Sequence, residues 1–396
     1  MNSEDISVST HKPHIILLNT GRVTNAKGGT EKVFCDMANA LIKRGYEVTL
    51  LFCDTNQGKA GFHIENGIRY VNAYKEKFSQ FLYRNPWKNL ICYRLNSNKR
   101  KMLRAVIDSK WRGDLIGEAL KSLPKANLFI SFQAEATWIL RDYLKIKDPL
   151  ITMFHGCPSF FFNEPKFYAY SDAVGKSDIL QVLMPEFVKE VRNKFPSARV
   201  VTIPNVAPQY KEQSNLSIKT IITMARVSPE KRPDLLIHAF SILKDKFPDW
   251  KCEWYGEFVD KEYLAKLHKL IRNNGLQERF LLPGETDQVQ DHLRQASIFA
   301  FPSACEGFSL AMAEAFSMGI PVVGCLDCAS TNSIVSDKKN GLLVTPTPES
   351  YANGLKFLMS NENIRWEYGA QGKEDMKRYS ADVVWDAWDQ LIRELT

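Results

Sequence analysis

Two glutamates, Glu306 and Glu314, stand eight positions apart in CEGFSLAMAEAF (residues 305–316), a stretch otherwise as apolar as a buried helix. A carboxylate drawn into a packed region needs a partner for its charge. Ser309 is placed to cap a helix whose interior is LAMAEAFSM, with Gly319 at its stop and Pro321 beyond. The preceding SIFAFPSA has the apolar run of a strand, which sets Glu306 and Gly307 in a strand-to-helix loop. Unpaired N–H groups from Phe308, Ser309 and Leu310 at the helix start favour an anion there. A phosphate at that start, Glu306 beside it and Glu314 two turns on fit one extended ligand, a nucleotide sugar. Glu314 would take its ribose hydroxyls and Glu306 the hydroxyls of its sugar. A diphosphate also needs cations. Arg226 closes the strand-like IITMA and Lys231 follows in ARVSPEKRPD, again a strand-to-helix loop, where both could offset charge on a leaving group. His155 ends the strand-like LITMF, at the crevice edge of the first domain.

Positioning such groups falls to alternating strands and helices. HIILLN, the loop GRVTNAKGGT, the helix-patterned EKVFCDMANALIKRG and YEVTLLFCD form a βαβ unit. A second series opens with IKTIITMAR, PDLLIHAFSILKDKF and WKCEWYGE and continues through RFLLPGE, VQDHLRQA, SIFAFPSA and IPVVGC. The expected class is α/β, with two Rossmann-like domains. The polar run after VVTIPNVAP predicts a boundary that gives domains 1–207 and 208–375. A C-terminal helix follows in 376–396, able to pack back on the first domain, with apolar residues at 383, 384, 387, 391, 392 and 395.

Composition agrees with a globular protein: 396 residues, 44% of them apolar, are enough for two domains. The N-terminal segment lacks the basic region of a signal peptide, and no run approaches 18 apolar residues, so a soluble cytoplasmic chain is expected. The eight cysteines are scattered and read as reduced thiols; the lone Cys325-Leu-Asp-Cys328 reads as a strand end entering a loop. The net charge of +7 is uneven: residues 1–207 hold 30 Lys and Arg against 19 Asp and Glu, and the remainder 22 against 26. Arg84, Lys88, Arg94, Lys99, Arg100, Lys101, Arg104, Lys110 and Arg112 face only Asp108, with Phe78, Phe81, Leu82, Tyr83 and Trp87 close by. Residues 78–112 therefore suit an anionic membrane surface, a phosphate-bearing acceptor, or a plain solvated helix face. No nucleic-acid recognition motif accompanies the charge.

The order of ARVSPEK (Arg226 to Lys231), the pair in EGFSLAMAE, IPN ending at Asn205, NGLLV at 340–344 and a first-loop GGTE before a helix and RGYEVTLL resembles the retaining glycosyltransferases of family 4, which have the GT-B fold. The resemblance covers nearly the whole chain. It implies two domains facing each other across a cleft, the acceptor mainly on the first and the donor mainly on the second. Carried over by position, Arg226 and Lys231 resemble the diphosphate ligands, Glu314 the ribose ligand and Glu306 the contact to the donor sugar. Gly28 and Gly29 resemble the loop that approaches the donor phosphate, Asn205 joins the donor set, and His155 resembles a histidine that hydrogen-bonds a sugar hydroxyl near the reacting region. Two departures stand out: CASTNSIVSD places Ser333 near the position of a usual acid, and LMPEFVKEV lacks a serine often found after that strand.

The expected function is a metal-independent retaining glycosyltransferase. It would move a hexose or N-acetylhexosamine from a nucleotide diphosphate sugar to a glycan or lipid-linked glycan, in bacterial surface polysaccharide or lipopolysaccharide synthesis, in the cytoplasm or peripherally at the inner face of the cytoplasmic membrane. No Asp-x-Asp triplet occurs, so no metal or other cofactor is expected. Retention could use a covalent sugar intermediate or same-face attack, and the resemblance favours the second. A sugar-nucleotide epimerase and a non-catalytic sugar-nucleotide or lipid-binding protein are the alternatives.

Overall fold

A computed structural model describes residues 12–74 and 97–396. Its first sheet has seven strands: β1 (His14–Asn19), β2 (Glu47–Phe52), β3 (Arg69–Asn72), β4 (Leu128–Ser131), β5 (Leu150–Phe154), β6 (Ile179–Val182) and β7 (Val200–Thr202). They lie in the order β3-β2-β1-β4-β5-β6-β7, and every pairing is parallel. The strands are nearly continuous apolar runs because helices cover both faces of such a sheet. A buried chain of hydroxyls, Ser131–Thr137 (2.5 Å), Thr137–Thr152 (2.6 Å) and Thr152–Ser177 (2.7 Å), pins β4 to β5.

The second sheet has six strands: β8 (Thr220–Met224), β9 (Lys251–Tyr255), β10 (Phe280–Gly284), β11 (Ile298–Phe301), β12 (Val322–Cys325) and β13 (Gly341–Val344). Their order is β10-β9-β8-β11-β12-β13, again all parallel. Each sheet reverses its winding once, between β1 and β4 in the first and between β8 and β11 in the second. Ligands of open α/β sheets bind at the carboxyl ends of strands at such a reversal.

The chain divides into two compact units. One holds the described residues up to Val182 with Val188–Ile203 and Trp385–Thr396; the other holds Leu183–Phe187 and Pro204–Val384. The terminal region is not one helix. Met376–Tyr379 is a 3₁₀ turn, Ser380 is extended, and the helix runs Ala381–Arg393. Its buried face is Val384, Trp385, Trp388, Leu391 and Ile392, whereas Val383 is 53% exposed. The expected stripe of 383, 387 and 395 is thus displaced, because the two tryptophans carry the larger apolar area. Within the first unit this segment is tied down by Arg44–Asp386 (2.8 Å), Tyr46–Asp389 (2.8 Å) and Arg199–Glu394 (2.5 Å).

Part of the basic stretch, Arg84, Lys88, Arg94 and the aromatics 78–87, lies outside the described residues. Its remainder forms the helix Ser97–Lys121, on which Lys99, Lys101, Arg104 and Lys110 are exposed. Arg112 does not join them: its guanidinium turns inward to Glu135 at 2.6 Å.

Candidate functional site

In the second unit the reversal between β8 and β11 brings the Lys231 and Glu306 loops together. Beyond β8, Trp254 Nε1 donates to the Ala225 carbonyl (2.8 Å) and Val227 N–H to the Glu257 carbonyl (2.8 Å), so the chain leaves the strand in a fixed direction. It then makes a 3₁₀ turn, Pro229–Lys231, and Arg232 adopts a left-handed conformation (φ 53°) before the helix Pro233–Leu243. The Ala304 N–H donates to the Glu230 carbonyl at 2.9 Å, joining this turn to the loop after β11. Across that junction Lys231 Nζ meets Glu306 Oε1 at 2.5 Å, with the two side chains only 11% and 17% exposed.

The remaining expected groups are placed as follows. Ser309 is the N-cap, its Oγ accepting from the Met312 N–H at 3.3 Å, and the helix runs Leu310–Ser317. The first-turn donors are therefore Leu310 and Ala311, with Met312 taken by the cap; Phe308 and Ser309 precede the helix. Phe308 is buried edge-on against Tyr379 at 5.1 Å, and Gly307 is buried beside it. Gly319 (φ 74°) ends the helix where only glycine is unstrained. Glu314 is half-buried; burial and then its carboxylate push the neighbouring Tyr210 phenol up to about 12. Arg226 stands apart from the Lys231–Glu306 contact: its side chain is 61% exposed, 4.0 Å from Glu230. Asn205 is buried in the segment that opens this unit.

Several residues of this neighbourhood were not read from the sequence. Arg232 makes a two-pronged bridge to Asp327 (3.0 and 2.7 Å), which lies inside the Cys325-Leu-Asp-Cys328 turn. That turn is a structural clamp, and burial, then Asp327, push the Cys325 thiol up to about 12. Arg378 packs over Tyr379 (4.8 Å) and donates to the Ser333 carbonyl (3.2 Å). Ser333 itself is half-buried, with its hydroxyl directed to its own helix at Ala329. Residues as far apart as 232 and 327 carry no local pattern that would pair them.

In the first unit, His155 follows β5 and stacks on Phe132, which follows β4, at 4.7 Å and 23°. Its Nε2 is enclosed and has no partner among the described residues. Burial lowers its pKa to about 4, so the ring is neutral at pH 7. Gly28 caps the helix Gly29–Lys43 without a side chain, and the Glu31 carboxylate folds back over it. Both glycines are exposed.

Residues 208–375 match the family model described as glycosyl transferases group 1. Over 200 residues the chain is 32% identical to an exopolysaccharide phosphotransferase of Streptomyces coelicolor, covering 50% of this chain and 21% of that protein. It is 30% identical over 195 residues to the N-acetylgalactosamine-N,N'-diacetylbacillosaminyl-diphospho-undecaprenol 4-alpha-N-acetylgalactosaminyltransferase of Campylobacter jejuni, covering 48% of this chain and 52% of that one. The chain thus spans about a fifth and about half of these two relatives. Staphylococcus aureus TarM, solved as a variant with fondaparinux, alpha-GlcNAc-glycerol and UDP, superposes with a TM-score of 0.75 at 16% identity, over 96% of this chain and 99% of that one. The fold is GT-B, with two Rossmann-like domains.

Proposed function

We propose that a GT-B chain whose second unit matches the group 1 glycosyl transferases is itself a glycosyltransferase, moving a hexose or N-acetylhexosamine from a nucleotide diphosphate sugar to a glycan or lipid-linked glycan. Donor binding is assigned to residues 208–375 and acceptor binding to 1–207. The observation that carries this is the shielded Lys231–Glu306 pair beside the capped start of the Leu310–Ser317 helix, at the reversal of the second sheet. An ammonium, a carboxylate and free N–H groups in one place match a phosphate with a sugar attached.

In the donor complex Lys231 exchanges Glu306 for a phosphate oxygen, and Glu306 then accepts hydrogen bonds from the sugar. The exposed Arg226 guanidinium swings onto the same diphosphate. As the bond from the anomeric carbon to the diphosphate breaks, Lys231, Arg226 and the Leu310 and Ala311 N–H groups stabilise the charge that develops on the leaving oxygen. Configuration is retained by attack on the face from which the diphosphate departs, a phosphate oxygen taking the acceptor's proton. The neutral His155 hydrogen-bonds a sugar hydroxyl. No metal is assigned a part. The UDP in the TarM complex and the diphospho-undecaprenol in the Campylobacter enzyme's name support a nucleotide sugar donor and a lipid-linked acceptor in bacterial surface glycan synthesis. Among the described residues no helix is long and apolar enough to cross a membrane. The exposed Lys99, Lys101, Arg104 and Lys110 are assigned to an anionic lipid surface at the cytoplasmic face, which co-sedimentation with anionic and neutral vesicles tests.

The Streptomyces relative's name favours a second reading, transfer of a sugar phosphate. One assay separates the two. Incubated with a panel of nucleotide sugars, with water as the slow acceptor, a glycosyltransferase releases free sugar and nucleoside diphosphate, whereas a sugar-phosphate transferase releases sugar phosphate and nucleoside monophosphate. Glu306→Ala is expected to abolish diphosphate release while UDP still raises Tm. Release unchanged in that variant would sink the assignment.

A further inference from the structure

The mechanism above leaves unused a pair of amides at the carboxyl edge of the first sheet. Asn19 ends β1 and is wholly buried. Gln133 lies just past β4, the neighbouring strand, and its Nε2 donates to Asn19 Oδ1 at 2.7 Å. Backbone groups fix both orientations: the Gly21 N–H donates to Asn19 Oδ1 (2.7 Å) and the Thr20 N–H to Gln133 Oε1 (2.9 Å). Turning either amide over would set a donor against a donor. Asn19 Nδ2 is therefore held as a donor, and it has no acceptor among the described residues. A buried donor left unmade is costly, and persists where something other than the fold completes it.

His155, which also carries an unpartnered buried atom, directly follows β5, two strands from β1 and on the order of 10 Å across the sheet. Phe132, stacked on His155, is the chain neighbour of Gln133. The groups are an amide pair and an imidazole that is neutral at pH 7. Phosphate sites rely on cations or arrays of N–H groups, whereas neutral amides and imidazoles suit hydroxyls.

We propose that Asn19 is a ligand-binding residue whose Nδ2 donates to a sugar hydroxyl oxygen, with Gln133 as the positioning residue that holds it. The idea rests on the transferase reading, and its test is independent of turnover. The side-chain amide resonances of Asn19 are followed by ¹⁵N NMR in the full chain while UDP-glucose, UDP-N-acetylglucosamine, UDP, a series of methyl glycosides and inorganic phosphate are added. Saturable movement with a UDP-sugar but not with UDP assigns the hydroxyl to the donor; movement with a glycoside assigns it to the acceptor. Either supports the proposal. No movement with any sugar, or movement with phosphate alone, overturns it and leaves Asn19 to a trapped water. Failure of the transferase reading would look different, as no nucleoside diphosphate released from any nucleotide sugar.

Asn19→Asp adds a second readout, because a carboxylate still accepts from Gly21 and Gln133 but cannot donate. The sugar that moves the wild-type resonance should bind about tenfold more weakly to this variant at pH 7. Binding should recover as the pH falls and the carboxyl gains a proton to give. A merely structural Asn19 would lower Tm and show no such recovery.

Discussion

Lys231 and Glu306 hold each other in a place that water barely reaches, so neither can be removed alone without consequence. Lys231→Ala leaves a shielded carboxylate uncompensated and should cost about 3 kcal/mol in denaturant unfolding. The double variant Lys231→Met with Glu306→Gln should recover most of that loss and remain inactive, which separates the pair's structural role from its chemical one. His155 gives a pH test. Its folded pKa of about 4 lies below the usual histidine value, so between roughly pH 6.5 and 4 the unfolded chain binds the extra proton. Its contribution to stability is intact above that window and declines as pH falls through it. His155→Phe should flatten the acid limb of stability against pH, by about 1–3 kcal/mol at pH 4. The chemistry of Glu306, Glu314, Arg226 and Lys231 could be suspected from residue type and loop position. Asn19 and Gln133 could not, because an amide at a strand end looks like an ordinary turn residue until its partners are seen.

At the scale of elements, the Leu310–Ser317 helix owes its position to its two ends. Ser309→Ala removes the bond to Met312 and should cost about 1 kcal/mol, with weaker UDP binding in a thermal-shift titration. At the other end, the helix Glu362–Asp375 crosses so close that a Cβ on Gly369 would strike the Gly319 carbonyl. Backbone cannot yield as a side chain can, so Gly369→Ala should cost about 2 kcal/mol or more by calorimetry. Strands and their alternation with helices were legible because fully covered parallel strands read as apolar runs. The clamp between Arg232 and Asp327 was not, since its partners are 95 residues apart and meet only when β12 pairs beside β11.

For the whole molecule, the two compact units do not follow a single cut in the chain. Leu183–Phe187 sits with the second unit although β6 and Val188–Ile203 belong to the first, and Trp385–Thr396 rejoins the first. A linear reading finds a linker by its polar residues, and the exchange of Leu183–Phe187 leaves no compositional mark. Trp385, Trp388, Leu391 and Ile392 each bury most of their surface, about 1.5–3 kcal/mol apiece. Their sum rivals the net stability of an ordinary domain. A chain ended at Val384 is therefore expected to leave its first unit unfolded, seen as insolubility or rapid proteolysis of residues 12–203 while 208–375 resists.

The same arrangement governs how the polypeptide matures on the ribosome. The first unit is expected to be complete only once Trp385–Thr396 has been synthesised, although its seven strands emerge long before. The later-made half can settle first. Chaperone demand should thus concentrate on the first unit, and a fusion that hinders Trp385–Thr396 should impair strands made long before it.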